Sequence, residues 1–155
     1  MAQNIIVITT DLSEQSVDAI RQGLQHAKTT NAEVRVVYAC PHFELPLALQ
    51  RQLNDPESLR KMKETYEQDE QERLGQFLKD HGVQDGSAAI VRFSEENPAK
   101  VIVNYAKEVD ARLIVMASQG KGAVGRFFLG SNTQKVVASS PCPVLIIPPM
   151  REDNE

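Results

Sequence analysis

The chain has 155 residues, with 17 Lys and Arg against 21 Asp and Glu, for a formal net charge of -4 at neutral pH. A domain of this length buries enough surface to fold without disulfides or a structural metal, and an acidic balance with no basic stripe argues against a nucleic-acid partner. The two cysteines, Cys40 and Cys142, and the three histidines, His26, His42 and His81, show no zinc-ligand spacing and no nucleophile–base pairing.

Ile5 to Ile8 is a short apolar run rich in β-branched residues. It predicts a strand buried on both faces, closing on Thr9-Thr10-Asp11. Ser13 stands as the N-cap of a first helix, whose apolar stripe is Val17, Ile20, Leu24 and Ala27. Val34 to Ala39 predicts a second strand, and residues 41–55, with Pro41 and Pro46, read as a long loop. Asp55-Pro56 is a cap followed by proline at the first helical position. The helix it opens carries Leu59, Met62, Tyr66, Leu74, Phe77 and Leu78 and stops at Gly82. Its other face, with Glu64, Glu67, Asp69, Glu70, Glu72 and Arg73, reads as solvated surface. Ala88 to Phe93 predicts a third strand. Asn97-Pro98 repeats the cap signal before a stripe of Val101, Ile102, Tyr105, Ala106 and Val109. Leu113 to Met116 is the fourth strand, residues 132–139 a short helix and Val144 to Ile147 the fifth strand. The domain is expected over residues 1–150, with residues 151–155 as a polar tail. No secretory leader is legible in the short opening run, and no stretch approaches the ~18 apolar residues that span a membrane; the expected location is the cytoplasm.

Strands alternating with helices predict a single doubly wound α/β domain of Rossmann-like type: a parallel sheet with helices on both faces. In the strand order 3-2-1-4-5, the chain reverses its direction across the sheet between strands one and four, and ligands sit at that switch point. Asp11 follows strand one and Ala117-Ser118-Gln119-Gly120 follows strand four, so two candidate motifs converge there. The glycine-rich segment then runs to Gly130-Ser131 and a helix start, where exposed amides and the helix dipole suit a phosphate.

Gly120 to Gly125 also matches GxGxxG, but it follows the fourth strand rather than the first and lacks the acidic residue about 20 positions on that a dinucleotide site requires. No Walker A motif occurs. Asp11 is placed either to hold a ribose hydroxyl or magnesium, or to favour the dipole of the first helix. Ser131 either donates to a phosphate or caps its helix, and Lys121 and Arg126 either neutralise phosphates or are solvated. Val144 to Ile147 is apolar on both faces at a sheet edge. It therefore pairs with its own copy across a two-fold axis, within limits set by Pro143 and Pro148, or is covered by the same chain.

Thr10-Asp11-Leu12-Ser13-Glu14, Asn97-Pro98-Ala99, Arg112 to Met116 and above all Gly120 to Pro148 resemble the universal stress protein family over nearly the whole chain. The resemblance implies a five-stranded parallel sheet and a dimer through the last strand. Nucleotide-binding members carry G-x2-G-x9-G-[S/T]. Here Gly120, Gly130 and Ser131 match, while Ala117 replaces the first glycine, a change tolerated if φ is negative there. The resemblance further assigns Thr10 and Asp11 after strand one, Ala39 beside an adenine, Met116 and Ala117 at the end of strand four, and Gln119 before the second glycine. Phosphates would meet the amides of Gly120, Gly130, Ser131 and Asn132. The expected protein binds ATP or a related adenine nucleotide, with magnesium at Asp11 through the nucleotide. It acts by changing its assembly, as a dimer or tetramer, or its protein partners in a stress response. A slow ATPase and a nucleotide-free dimeric scaffold are the alternatives.

Overall fold

The structure, a computed structural model, describes residues 3–53, 55–84, 88–120 and 128–149. Lys121, Arg126 and the tail at 151–155 lie outside the described residues.

Five strands form one parallel sheet in the order β3-β2-β1-β4-β5, as the alternation predicts. They are β1 (Ile5–Thr10), β2 (Glu33–Cys40), β3 (Ala89–Phe93), β4 (Leu113–Ala117) and β5 (Val144–Ile147). The central strand β1 is buried along its whole length, which is why its sequence is an unbroken apolar run rather than an alternating one. The helices are α1 (Glu14–Thr30), α2 (Leu47–Gln50), α3 (Pro56–Asp80), α4 (Pro98–Glu108) and α5 (Ser131–Ser139). On one face, Ile5, Val7, Val37, Ile114 and Met116 pack with Ile102, Tyr105 and Ala106 of α4 and Val136 of α5. On the other, Ile6, Ile8, Val36 and Val115 pack with Ala19 and Ile20 of α1 and Leu74 and Leu78 of α3. None of these helices is long and apolar enough to cross a membrane.

Both cap-and-proline signals form as expected. Asp55 accepts from the amides of Glu57 and Ser58 at 3.1 and 3.3 Å, and Asn97 accepts from Lys100 at 3.0 Å. Gly82, with φ +84, takes the left-handed conformation just past α3. Two expectations need correction. Residues 41–55 are not all loop, because Pro46 starts the short helix α2: the amides of Leu49 and Gln50 donate to its carbonyl. Four residues give too short a stripe for periodicity to register. Ser13 does occupy the N-cap of α1, but its side chain makes no capping bond and is spent elsewhere.

α1 lies very close to the sheet at Gly23. A Cβ there would stand 2.5 Å from Ile8 Cδ1 and 2.8 Å from Ile8 Cγ1, and Ile8 is fully buried with no room to retreat. Gly23→Ala is therefore expected to lower stability by roughly 1–3 kcal/mol through overpacking, despite alanine's better helix propensity, as read from the midpoint of a urea titration.

Candidate functional site

The direction change across the sheet falls between β1 and β4, and a cavity of about 630 Å³ opens at their carboxyl ends. That volume lies in the range of small-molecule sites. Thr10, Asp11, Ala39, Met116, Ala117, Gln119, Gly120, Gly130, Ser131 and Asn132 all line it, so the structure brings these ten together, while the candidate phosphate cations Lys121 and Arg126 lie outside the described residues. Thr9, Ser16, Pro98, Ile102, Phe128 and Thr133 line it too and escaped the sequence reading. Some were accessible in principle: Thr9 follows Val7 on one face of a strand, and Pro98 and Ile102 share one face of α4. Nothing in the sequence marks Phe128.

The β1–α1 turn is held by a chain of hydroxyls. The Leu12 amide donates to Thr10 Oγ1 at 3.0 Å, Thr10 Oγ1 lies 2.7 Å from Ser16 Oγ, and Ser16 Oγ donates to the Ser13 carbonyl at 2.8 Å. Since Ser16 spends its one proton on that carbonyl, the Thr10 hydroxyl must donate to Ser16. Leu12 sits in the left-handed region at φ 62, a conformation costing a non-glycine residue roughly 1–2 kcal/mol. This turn directs the Asp11 carboxylate back over the sheet edge. Asp11 Oδ1 accepts from the Ser13 amide at 3.0 Å and from the Ser13 hydroxyl, which is where the missing capping side chain has gone. Of the two roles open to Asp11 in the sequence, the turn thus provides a local structural one while leaving the carboxylate in the cavity wall. It is the one ionisable side chain there among the described residues.

On the other side of the cavity, the glycine segment is drawn together at its base. The Gly130 amide donates to the Ser118 carbonyl at 2.8 Å, and Gln119 Nε2 donates to the Phe128 carbonyl at 2.8 Å. Ser118 is in turn tied to β5 through Ile147, and Thr133 Oγ1 donates to the Ala117 carbonyl at 3.1 Å. Gly130, not Ser131, is the N-cap of α5, and the first intrahelical bond runs from the Gln134 amide to the Gly130 carbonyl. The amides of Ser131 and Asn132 therefore lie ahead of the helical ladder and face no partner among the described residues. The Gly130 amide is already engaged by Ser118, which corrects the expectation that it is available for a phosphate. Ala117 is not among the positive-φ residues, so its methyl group carries no backbone penalty.

A brace stands behind Ala39. Cys40 Sγ lies 3.3 Å from Tyr66 Oη and 3.6 Å from Glu70 Oε2, and Tyr66 Oη donates to the Pro41 carbonyl at 3.0 Å. Burial pushes the Cys40 thiol up, so it stays protonated at neutral pH and serves as a packed donor rather than a nucleophile. The brace ties the end of β2 to α3 and so fixes the cavity wall at Ala39.

The two motif glycines are needed for different reasons. A Cβ on Gly120 would lie 2.7 Å from Asp11 Oδ2. On Gly130, where φ is -57 and ψ 153, it would make only ordinary contacts, 3.5 Å from the Ser118 carbonyl and 3.8 Å from Thr133 Oγ1. Gly120 makes room for Asp11, whereas nothing among the described residues requires glycine at 130. Gly120→Ala is expected to force Asp11 from its rotamer and destabilise the protein by roughly 0.5–1.5 kcal/mol, while Gly130→Ala is expected to be neutral or to stabilise by about 0.5 kcal/mol, both measured by urea unfolding.

A model of the universal stress protein family matches residues 2–148. A universal stress protein of Methanocaldococcus jannaschii is 32% identical over 145 residues, covering 92% of this chain and 80% of the relative. Among solved structures, the universal stress protein UspA from Lactobacillus plantarum has a TM-score of 0.63 at 23% identity, over 95% of this chain and 99% of that one. A universal stress protein from Archaeoglobus fulgidus in complex with dAMP has a TM-score of 0.57 at 23% identity, over 95% and 99% of the two chains. A further universal stress protein, in complex with cAMP, scores 0.56 at 23% identity, over 95% and 98%. The structural likenesses carry the fold, and the family match over nearly the whole chain carries the assignment: this chain belongs to the universal stress protein family.

Proposed function

We propose that this protein binds ATP or a related adenine nucleotide in the cavity between β1 and β4. Binding would act through a change of assembly or protein partner in a stress response, rather than through turnover. The observation that carries this reading is the convergence on one cavity of residues from four separate segments, each named from sequence as nucleotide contacts. Two proteins of the same fold and family are solved with dAMP and cAMP, which supports an adenine nucleotide as the class.

The wall chemistry fits such a ligand. Ala39, Met116, Ile102 and Pro98 offer an apolar surface to a flat base, Asp11 an acceptor to ribose hydroxyls, and Gly120, Ser131 and Asn132 their amides to phosphates. The positive end of the α5 dipole adds to the last of these. Among the described residues no three His, Cys, Asp or Glu side chains gather into a metal cluster. A magnesium ion would accordingly be held by Asp11 together with the nucleotide's own oxygens. No histidine lines the cavity among the described residues, and Asp11 is already engaged by Ser13, so the wall supplies no clear water-orienting base for phosphoryl transfer.

Assembly is proposed to run through β5. That strand pairs with β4 on one side only, its residues are apolar, and Leu145 is 37% exposed. Antiparallel pairing of Val144–Ile147 with its own copy would satisfy the open edge. Leu145→Lys would bring like charges together near the two-fold axis and is expected to shift the protein from dimer to monomer, as read by analytical ultracentrifugation.

Calorimetric titration of nucleotide-stripped protein with ATP and magnesium tests the ligand. Binding near one per chain is expected, with no ADP released on prolonged incubation. Gly130→Val should abolish that binding while circular dichroism and oligomeric state stay unchanged. Absence of heat at several temperatures would favour a nucleotide-free scaffold instead.

A further inference from the structure

The sheet has two edges, and they are built differently. β5 at one edge is apolar throughout, whereas β3 at the other carries Arg92 in a strand otherwise made of Ala89, Ile90, Val91 and Phe93. Among the described residues β3 pairs with β2 alone. The Ser94 amide donates to the Cys40 carbonyl at 3.0 Å, so the even-numbered residues of this alternating strand turn their main-chain groups toward β2. Ala89, Val91 and Phe93 turn theirs outward, and such a row is a template for a further strand.

Two side chains stand at that edge. Gln71 of α3 donates from Nε2 to the Ala89 carbonyl at 3.4 Å and so occupies one outward acceptor. Arg92 lies on the sheet face covered by α4, two residues beyond Ile90. Its guanidinium carbon is 4.9 Å from the centroid of the Tyr105 ring, and its Nη2 donates to Glu108 at 2.7 Å. The side chain is 42% exposed, yet its Nε is buried without a hydrogen-bond partner. A buried donor left unpaired lowers stability, and valine would continue the strand without that cost. Arg35 of β2 shares the unpartnered Nε, but it lies one strand in from the edge and is paired with Glu33.

The stability of a single chain therefore gives a poor reason for Arg92, and a second copy gives a better one. Antiparallel two-fold pairing centred on Val91, the middle of β3, would set the two copies of Arg92 diagonally across one face. Pairing centred on Arg92 would set them directly opposite. Like charges in these positions oppose pairing, and both guanidiniums would lose water as the strands closed.

We propose that Arg92 keeps the β3 edge from pairing with a second copy of this chain and so confines edge-to-edge assembly to β5. A molecule able to pair through both edges would grow without closing. The inference concerns β3 and stands whether or not β5 pairs.

The experiment compares wild type, Arg92→Val and Arg92→Lys by analytical ultracentrifugation, urea unfolding and amide hydrogen exchange. Arg92→Val is expected to sediment at about twice the wild-type mass or more. It should unfold at no lower urea concentration than wild type and exchange the Val91 and Phe93 amides more slowly. Arg92→Lys keeps the charge and should sediment as wild type does. An Arg92→Val protein of wild-type mass would overturn the inference. So would association with a lowered urea midpoint, which marks opened chains, or with unchanged exchange at Val91 and Phe93, which places the contact elsewhere. Equal association of Arg92→Lys would overturn it too, by removing charge as the cause.

Discussion

Everything at the site depends on β1 and β4 lying side by side and pointing the same way. The chain leaves β1 toward one face of the sheet, through α1, and leaves β4 toward the other, through the glycine segment and α5. Two connections that diverge from adjacent strand ends cannot fill the space between them. The cavity is thus a product of topology before any side chain is considered, and the local chemistry only lines it. That lining includes three helix starts, at α1, α4 and α5, because in a parallel arrangement every strand that ends here feeds a helix that begins nearby.

The two walls are built with different degrees of economy. The β1–α1 turn uses a left-handed Leu12, two threonine and serine hydroxyls and the Ser13 side chain to present one carboxylate, and it gives up a helix cap to do so. The glycine side combines main-chain bonds with the side chains of Gln119 and Thr133 and leaves the first amides of α5 uncommitted. One wall presents a side-chain carboxylate and the other main-chain amides, and they meet where Asp11 overlies Gly120. A ligand contacting both would find its partners already oriented, with the ordering cost met during folding.

Sheet order and most elements were legible because the signals are local and strong: unbroken apolar strands, three- and four-residue helical spacing, and caps followed by proline at Asp55 and Asn97. The convergence of Asp11 with Gly120 was legible too, since strand order alone places both at the switch. What was not legible depends on partners distant in sequence. α2 is shorter than any periodicity can register, and the diversion of Ser13 from capping depends on where Asp11 turns. A threonine at the end of a strand reads first as a β-former, so Thr9 was passed over although its alternation with Val7 placed it on that face. The glycines looked alike in the motif, yet one accommodates a carboxylate and the other meets no obstacle among the described residues. Only the third dimension separates those cases.

The pairing of β1 with β4 also orders events in time. Ile6 and Leu113 are neighbours across the sheet but more than a hundred residues apart along the chain. During synthesis, β1, α1, β2, α3 and β3 can dock into a partial sheet while the central strand still has an open edge. Until β4 emerges and closes that edge, the cavity has only one wall. A small molecule in the cell therefore has nothing to hold on the unfinished chain. Any stabilisation it brings reaches the protein only after the last third has been made.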